Sequence, residues 1–310
     1  MRLQTFYTKH GGPGVFMRRL EKYIVSHFDV KLVERKPDVY LSAVWRGDPP
    51  RRCKIVHRVD NVYFDELNPH RKKLNRKIAE AINKSDAVIF QSVFAKNICY
   101  HQLRLAKSFD SKFNRVIYNA IDQGYYQSIK GIEHDYEYLF IACAKWRPLK
   151  RPRAIAKGFL GAGVPSSKLI FIGDISKIDR IKSSSVNYIG SRSSDETIQY
   201  YSSSFGLIHI ARLDACPNVV VEALSLKKPV ICNNAGGAPE LVGKDGVIVN
   251  IDPIDNFAPF KMKKPESIDI GLLSEAIMNS TKVKWNINRP EFDMSFCAKQ
   301  YYNLFIDLLS

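Results

Sequence analysis

The sequence predicts an α/β protein of two Rossmann-like domains, each a parallel sheet with flanking helices, the two facing a shared cleft. Three observations carry this. Short β-rich runs alternate with amphipathic segments along most of the chain, the pattern of parallel strands joined by crossover helices. The alternation pauses once, over Asp122–Glu137, a tract rich in Gly, Tyr and acids with no clear period, and then restarts. Finally, 310 residues are long for one domain and comfortable for two. The expected division is 1–128, 129–290, and a closing segment 291–310 whose helix packs back across the domains.

In chain order, Leu3–Tyr7 reads as a strand, followed by the turn His10-Gly11-Gly12-Pro13-Gly14 and a helix over about 15–26. Phe16, Leu20 and Ile24 share a face of that helix, at the spacing a buried stripe requires. Val39–Val44, Lys54–Val59, Ala87–Phe90 and Arg115–Ile121 read as strands, with helices at 70–83 and about 93–106. After the pause come strands at Tyr138–Ala144, Lys168–Ile172, Val186–Ile189, Gly206–Ile210, Pro229–Cys232 and Gly246–Val249. Helices are expected at about 151–160, at 194–203, from Pro217 onward and at about 294–309. Ligands of such sheets bind outside the carboxyl ends of the strands. Gly12 and Gly14 follow the first strand and open the first helix, where backbone N–H groups approach an anion closely.

Composition narrows the class. Apolar residues make up 45% and charged residues 25%, which is globular. No apolar run approaches the roughly 18 residues a transmembrane helix needs. The opening MRLQTFYTKHGG has no apolar core of a signal peptide. Six cysteines are scattered without a C-x-x-C pair, which argues for reduced thiols, a cytoplasmic setting and no structural zinc. The net charge of +16 points to a polyanionic partner: nucleic acid, an anionic membrane face or a phosphorylated small molecule. One basic block, His70–Lys77, lies on an amphipathic helix with Leu74, Ile78 and Ile82 inside. The other, Lys145–Arg153, directly follows an apolar run.

The most informative stretch is Leu213–Val242. Asp214 and Glu222 stand seven residues apart, and Glu222 interrupts the apolar run Val219-Val220-Val221 and Ala223-Leu224. Pro217 suits the first helical position, making Cys216 the cap and placing Asp214 just ahead of a helix. Glu222 then lies too deep to cap that helix. A carboxylate flanked by valine and leucine is costly unless it accepts hydrogen bonds, and the vicinal hydroxyls of a ribose or hexose would supply them.

These residues resemble the retaining glycosyltransferases of family 4, the glycosyl transferases group 1 family, whose architecture is called GT-B. The resemblance rests on Asp214-x7-Glu222, Pro229-Val230-Ile231 and Gly236-Gly237-Ala238-Pro239-Glu240-Leu241-Val242. Weaker matches are the glycine-rich first loop, KIVHRVD (54–60), SDAVIFQSVFAK (85–96), VIYNAID (116–122) and AKWRPLKR (144–151). The resemblance implies that Glu222 holds the nucleotide ribose. It implies that Asp214 holds the transferred sugar with backbone amides of Cys216, Asn218 and Val219. Lys150 would hold the donor diphosphate with either Lys145 or Arg147, and His57 would orient substrate at a strand end. The first acid is usually Glu in the family, so Asp214 is a departure that touches donor choice.

The expected activity is transfer of a hexose-type sugar from a UDP- or GDP-sugar to a glycan or lipid-linked acceptor. No cofactor is expected beyond the nucleotide-sugar. Without a D-x-D sequence no metal is indicated, and fixed cations would neutralise the departing diphosphate. Arg192, in the loop Gly190–Ser193, would lie near the base. The first domain would take the acceptor, with the basic helix, Arg18 and Arg19 offering a route to the inner face of a membrane as a peripheral protein. Rival readings are a catalytically silent nucleotide-binding scaffold, a nucleotide-sugar epimerase and a basic nucleic-acid-binding protein. For the last, basic residues are not interleaved with aromatics, so no nucleic acid is expected.

Overall fold

The computed structural model describes residues 1–8, 11–44, 47–60, 62–63, 69–103, 113–252 and 267–310. They form two compact units, one from residues 1–121 and 291–310, the other within residues 122–290. The division thus falls at Ile121/Asp122 rather than 128, and the closing segment belongs to the first unit.

In the first unit, β1 (Arg2–Phe6) leads into α1 (Gly11–His27), then β2 (Lys31–Leu32), β3 (Val39–Ala43) and β4 (Lys54–Val59). Next come α2 (Pro69–Asn83), β5 (Ala87–Phe90), α3 (Val93–Leu103) and β6 (Phe113–Val116). The strands form one parallel sheet in the order β2-β1-β3-β4-β5-β6. β3 and β5 are buried along their whole length, as strands covered on both faces must be. α1 buries Phe16, Met17, Leu20 and Ile24, extending the face read from the sequence. Each such side chain contributes about 1.5–3 kcal/mol when fully buried. Positions 104–106 of the expected helix at 93–106 lie outside the described residues, as does His10.

Two expectations change at the end of this unit. The last ladder covers only Phe113–Val116, not the run to Ile121, because Asn119 turns its side chain into a buried cluster with Arg58 and Gln91. The tract from Asp122 is not wholly a linker. Asp122 accepts the Tyr125 N–H at 3.0 Å and so caps α4 (Gln123–Ser128), which buries Tyr126.

The second unit continues with β7 (Tyr138–Cys143), α5 (Pro152–Ala162), β8 (Ser167–Ile172), β9 (Val186–Tyr188), α6 (Ser194–Ser203) and β10 (Gly206–His209). It closes with α7 (Asn218–Ser225), β11 (Val230–Asn233), α8 (Ala238–Val242), β12 (Gly246–Val249) and α9 (Ile270–Ser280). Its parallel sheet runs β12-β11-β10-β7-β8-β9. α5 packs on α9 at Gly158, where a Cβ would stand 2.5 Å from Leu273 Cδ2, so only glycine lets the helices approach this closely. α9 has no counterpart among the expected elements, although Asp269 caps it and Leu273, Ala276 and Ile277 form its buried face.

The chain then returns to the first unit. Asp293 caps α10 (Met294–Leu309) by accepting the Ser295 N–H at 2.8 Å. Tyr301, Leu304, Phe305 and Leu308 enter the same core as α1, and the rings of Phe16 and Tyr301 lie 6.2 Å apart.

Candidate active site

The site is built at the carboxyl ends of β7 and β10, where a parallel sheet leaves loops free to carry chemistry. β10 is wholly buried and ends at His209. Leu213 follows in the left-handed region (φ 64°), and Asp214 comes next. Its backbone is held from the far side. Gly237 N–H donates to the Asp214 carbonyl at 2.7 Å. Gly236 (φ 82°) lies so close that a Cβ would stand 2.8 Å from the same oxygen. This is the physical reason for two glycines before α8.

α7 starts one residue later than the sequence indicates. Pro217 has φ −67° and ψ 115°, so it is the extended cap residue and Asn218 the first helical one. Cys216 is buried in the preceding loop, and Asn218 and Val219 open the helix. Val220, Val221, Ala223 and Leu224 are buried, whereas Glu222 is half-buried with its carboxylate reaching a polar corner. Tyr126 hydroxyl stands 3.4 Å from Glu222 Oε1. Burial, with the Glu222 charge adding, pushes the Cys143 thiol up to about 12. Burial first, then the Cys143 and Glu222 charges, also raise the Tyr201 phenol well above its ordinary range. The carboxylate therefore stands among groups that keep their protons.

Lys150 ends a 3-10 turn, Pro148–Lys150, after β7, and its Nζ pairs with Asp214 Oδ2. His209 Nε2 lies 3.3 Å from the same oxygen. Burial alone would raise the Asp214 carboxyl, but the Lys150 charge and the His209 contact outweigh it and hold it well below the usual carboxylate range. The turn is anchored on both sides. Arg212 N–H donates to the Leu149 carbonyl at 3.1 Å. The next residue, Arg151, is buried in the left-handed region (φ 54°), a conformation costing a non-glycine residue roughly 1–2 kcal/mol. Its guanidinium offsets this by a two-armed pair with buried Asp252, at 2.8 and 2.5 Å. Asn233 donates to the same carboxylate at 2.5 Å.

The structure thus brings Lys150 and Asp214 into direct contact. Lys145 and Arg147 are both exposed on the approach to the turn, so the choice between them stays open. Arg192 is exposed on its loop, where Nη1 donates to the Ser191 carbonyl at 2.9 Å. Gly12, Gly14 and His57 belong to the first unit. α1 begins at Gly11, so Gly12 and Gly14 sit in its first turn rather than in a preceding loop. His57 does not end its strand: the ladder continues to Val59, and the wholly buried imidazole meets Ser42 Oγ at 2.8 Å.

Several polar residues were not singled out from the sequence. Arg58 is fully buried over the Phe16 ring at 4.4 Å, pairs with Asp60, and donates to Gln91 (3.1 Å) and Asn119 (2.5 Å). The signal was a lone arginine in the apolar strand KIVHRV. Tyr126 and Arg151 owe their places to partners distant in sequence, which spacing cannot show, whereas His209 meets Asp214 on the loop that follows its own strand.

With this geometry in hand, residues 153–259 match the family of glycosyl transferases group 1. The chain resembles a glycosyltransferase from Rickettsia africae at 14% identity and a TM-score of 0.66, covering 100% of this chain and 98% of that one. It resembles a sucrose-phosphate synthase from Thermosynechococcus elongatus at 12% identity and a TM-score of 0.69, covering 99% and 98%. Anabaena HepE, solved in complex with UDP, is similar at 16% identity and a TM-score of 0.63, covering 99% of each chain. No curated protein matches in sequence. The fold is that of the GT-B glycosyltransferases. The matched residues include the helix that bears Glu222.

Proposed function

We propose that this protein is a retaining glycosyltransferase that moves a hexose-type sugar from a UDP- or GDP-sugar to a glycan or lipid-linked acceptor. The observation that carries this is the grouping of Lys150, Asp214 and Glu222 around the carboxyl ends of β7 and β10, inside a unit bearing the group 1 match. Anabaena HepE binds UDP and, in another structure, UDP-glucose, which supports a nucleotide-sugar as donor.

In this reading Glu222 accepts hydrogen bonds from the ribose hydroxyls. The Cys143 thiol and the Tyr201 phenol beside it keep their protons. Lys150, with Lys145 or Arg147, faces the diphosphate, while Arg192 borders the base. Asp214 and the amides of Cys216, Asn218 and Val219 hold the sugar. As the bond from the anomeric carbon to the phosphate oxygen breaks, positive charge grows on the sugar and negative charge on the diphosphate. The cations act on the second of these, a fixed electrostatic stabilisation requiring no metal. Retention of configuration and the hexose rest on the family resemblance.

The acceptor falls to the first unit. α2 presents Lys72, Lys73, Arg76 and Lys77 to solvent while burying Ile78 and Ile82. Among the described residues no helix is long and apolar enough to cross a membrane. A basic amphipathic helix of this kind lies along anionic headgroups, which suits a lipid-linked acceptor. Co-sedimentation with vesicles should rise with anionic lipid and fall with salt. A quadruple change of those four residues to Gln should abolish it, and lipid-independent sedimentation would remove the membrane from the account.

One observation favours a second reading, a scaffold that binds nucleotide without turnover. Asp214 stands where the family usually has Glu, and it is already paired with Lys150. The test for both is nucleotide release from a panel of UDP-, GDP- and ADP-sugars offered with glycan and lipid-linked acceptors. Acceptor-dependent release from one donor supports transfer, binding without release supports the scaffold, and product without acceptor supports an epimerase.

A further inference from the structure

Asp214 is one methylene shorter than the glutamate of the family, so its carboxylate must be aimed by its surroundings. Its backbone is fixed by Gly236 and Gly237, as described. Its side chain has two neighbours at the same oxygen, Oδ2: Lys150 Nζ donates to it, and His209 Nε2 lies 3.3 Å away, in contact but not aligned as a hydrogen bond. Oδ1 receives no hydrogen bond from any described residue, and the side chain is 27% exposed. One oxygen is thus engaged by neighbouring side chains, and the other receives no hydrogen bond from a described residue.

The two neighbours are unequal. Lys150 carries its charge on a flexible stem that is 22% exposed, and a diphosphate would compete for it. His209 is 4% exposed at the end of a buried strand. Burial lowers the basicity of the imidazole, the Asp214 contact offsetting this only in part, so the ring is neutral near pH 7. It is a rigid partner with no call on the phosphate. When Lys150 turns to an anion, His209 is the neighbour that stays on Oδ2.

We infer that His209 is a positioning residue: it fixes the Asp214 carboxylate so that Oδ1 is offered to a hydroxyl of the donor sugar. The inference rests on the proposed function. It differs from it in predicting an effect on the sugar half of the donor and not on the nucleotide half. A merely structural histidine would affect both halves alike.

The test is calorimetric titration of the wild-type protein, His209→Leu and His209→Gln with UDP, GDP and ADP and with their glucose conjugates. For the nucleotide that binds, His209→Leu should keep the diphosphate affinity within about twofold. It should lose about tenfold for the sugar conjugate, the scale of one hydrogen bond to a charged group. His209→Gln, which restores an N–H near the position of Nε2, should recover most of that loss. If the Leu variant does not fold, His209→Asn, whose amide falls short of Oδ2, takes its place. Equal losses for diphosphate and conjugate, no loss for either, or a folded Gln variant no better than Leu would overturn the inference. A wild-type protein that binds none of the six ligands would instead overturn the functional reading beneath it.

Discussion

Arg151→Ala should lower the stability of the second unit by about 3–5 kcal/mol, the effect of leaving one member of a buried ion pair without its partner. Asp252 is the member left behind. Its side chain is 1% exposed, and Asn233 would be the remaining side-chain donor to its carboxylate among the described residues. For a protein of this size the melting midpoint should fall by roughly 10 °C. Calorimetry on Arg151→Gly separates the two terms, because glycine removes the left-handed strain as well as the ion pair. It should be less destabilised than Ala by about 1 kcal/mol. The same pair sets an acid limit. Burial would raise the Asp252 carboxyl, but the Arg151 and Asn233 hydrogen bonds and the Arg151 charge outweigh it and lower it. A carboxyl lowered in the folded state contributes stability that is complete above its unfolded value, near pH 4, and lost as pH falls through the folded value. Asp214 acts in the same direction. Denaturation followed below pH 4 should therefore show a steeper loss in the wild type than in Asp252→Asn, which has no such carboxylate to protonate.

The second large effect is on binding. Glu222→Ala should weaken nucleoside diphosphate affinity by about 100-fold, or about 3 kcal/mol, the scale of two hydrogen bonds from hydroxyls to a carboxylate. The fold should stay intact, since Glu222 is half-buried on a helix whose packing comes from Val220, Val221, Ala223 and Leu224. Removing it also takes away a charge beside Cys143 and Tyr201, which should make both groups ionise more readily rather than less. An unchanged melting midpoint with weakened binding separates this substitution from Arg151→Ala, which acts first on stability.

The two sheets were legible because parallel strands buried on both faces leave apolar runs, as in Ala87–Phe90, and the bounds of Ala87–Phe90, Lys54–Val59 and Gly246–Val249 agree with the structure. Helices with a long apolar stripe, such as α10, were equally plain. α4 and α9 escaped although each has an aspartate cap, because a six-residue helix has too few turns to show a period and α9 follows a long polar tract. At the site, Glu222 stood out as a charge inside an apolar run, Asp214 by its spacing from Glu222 ahead of a helix, and Lys150 by the family resemblance of its basic block. The contacts that define them were not legible. Lys150 meets Asp214 across 64 residues of chain, and Tyr126 meets Glu222 across 96. The place of His57 within its strand, not at its end, was missed for a related reason. A strand's end is set by where its neighbours stop pairing, and β5 carries the ladder to Val59.

The whole account turns on what the Glu222 carboxylate touches. The most direct measurement is a binding cycle by calorimetry, wild type and Glu222→Ala against a nucleoside diphosphate and its 2′,3′-dideoxy counterpart. The account predicts that the substitution weakens the diphosphate by about 100-fold and leaves the dideoxy ligand, already weak, unchanged. A loss of equal size for both ligands, or none for either, would contradict it.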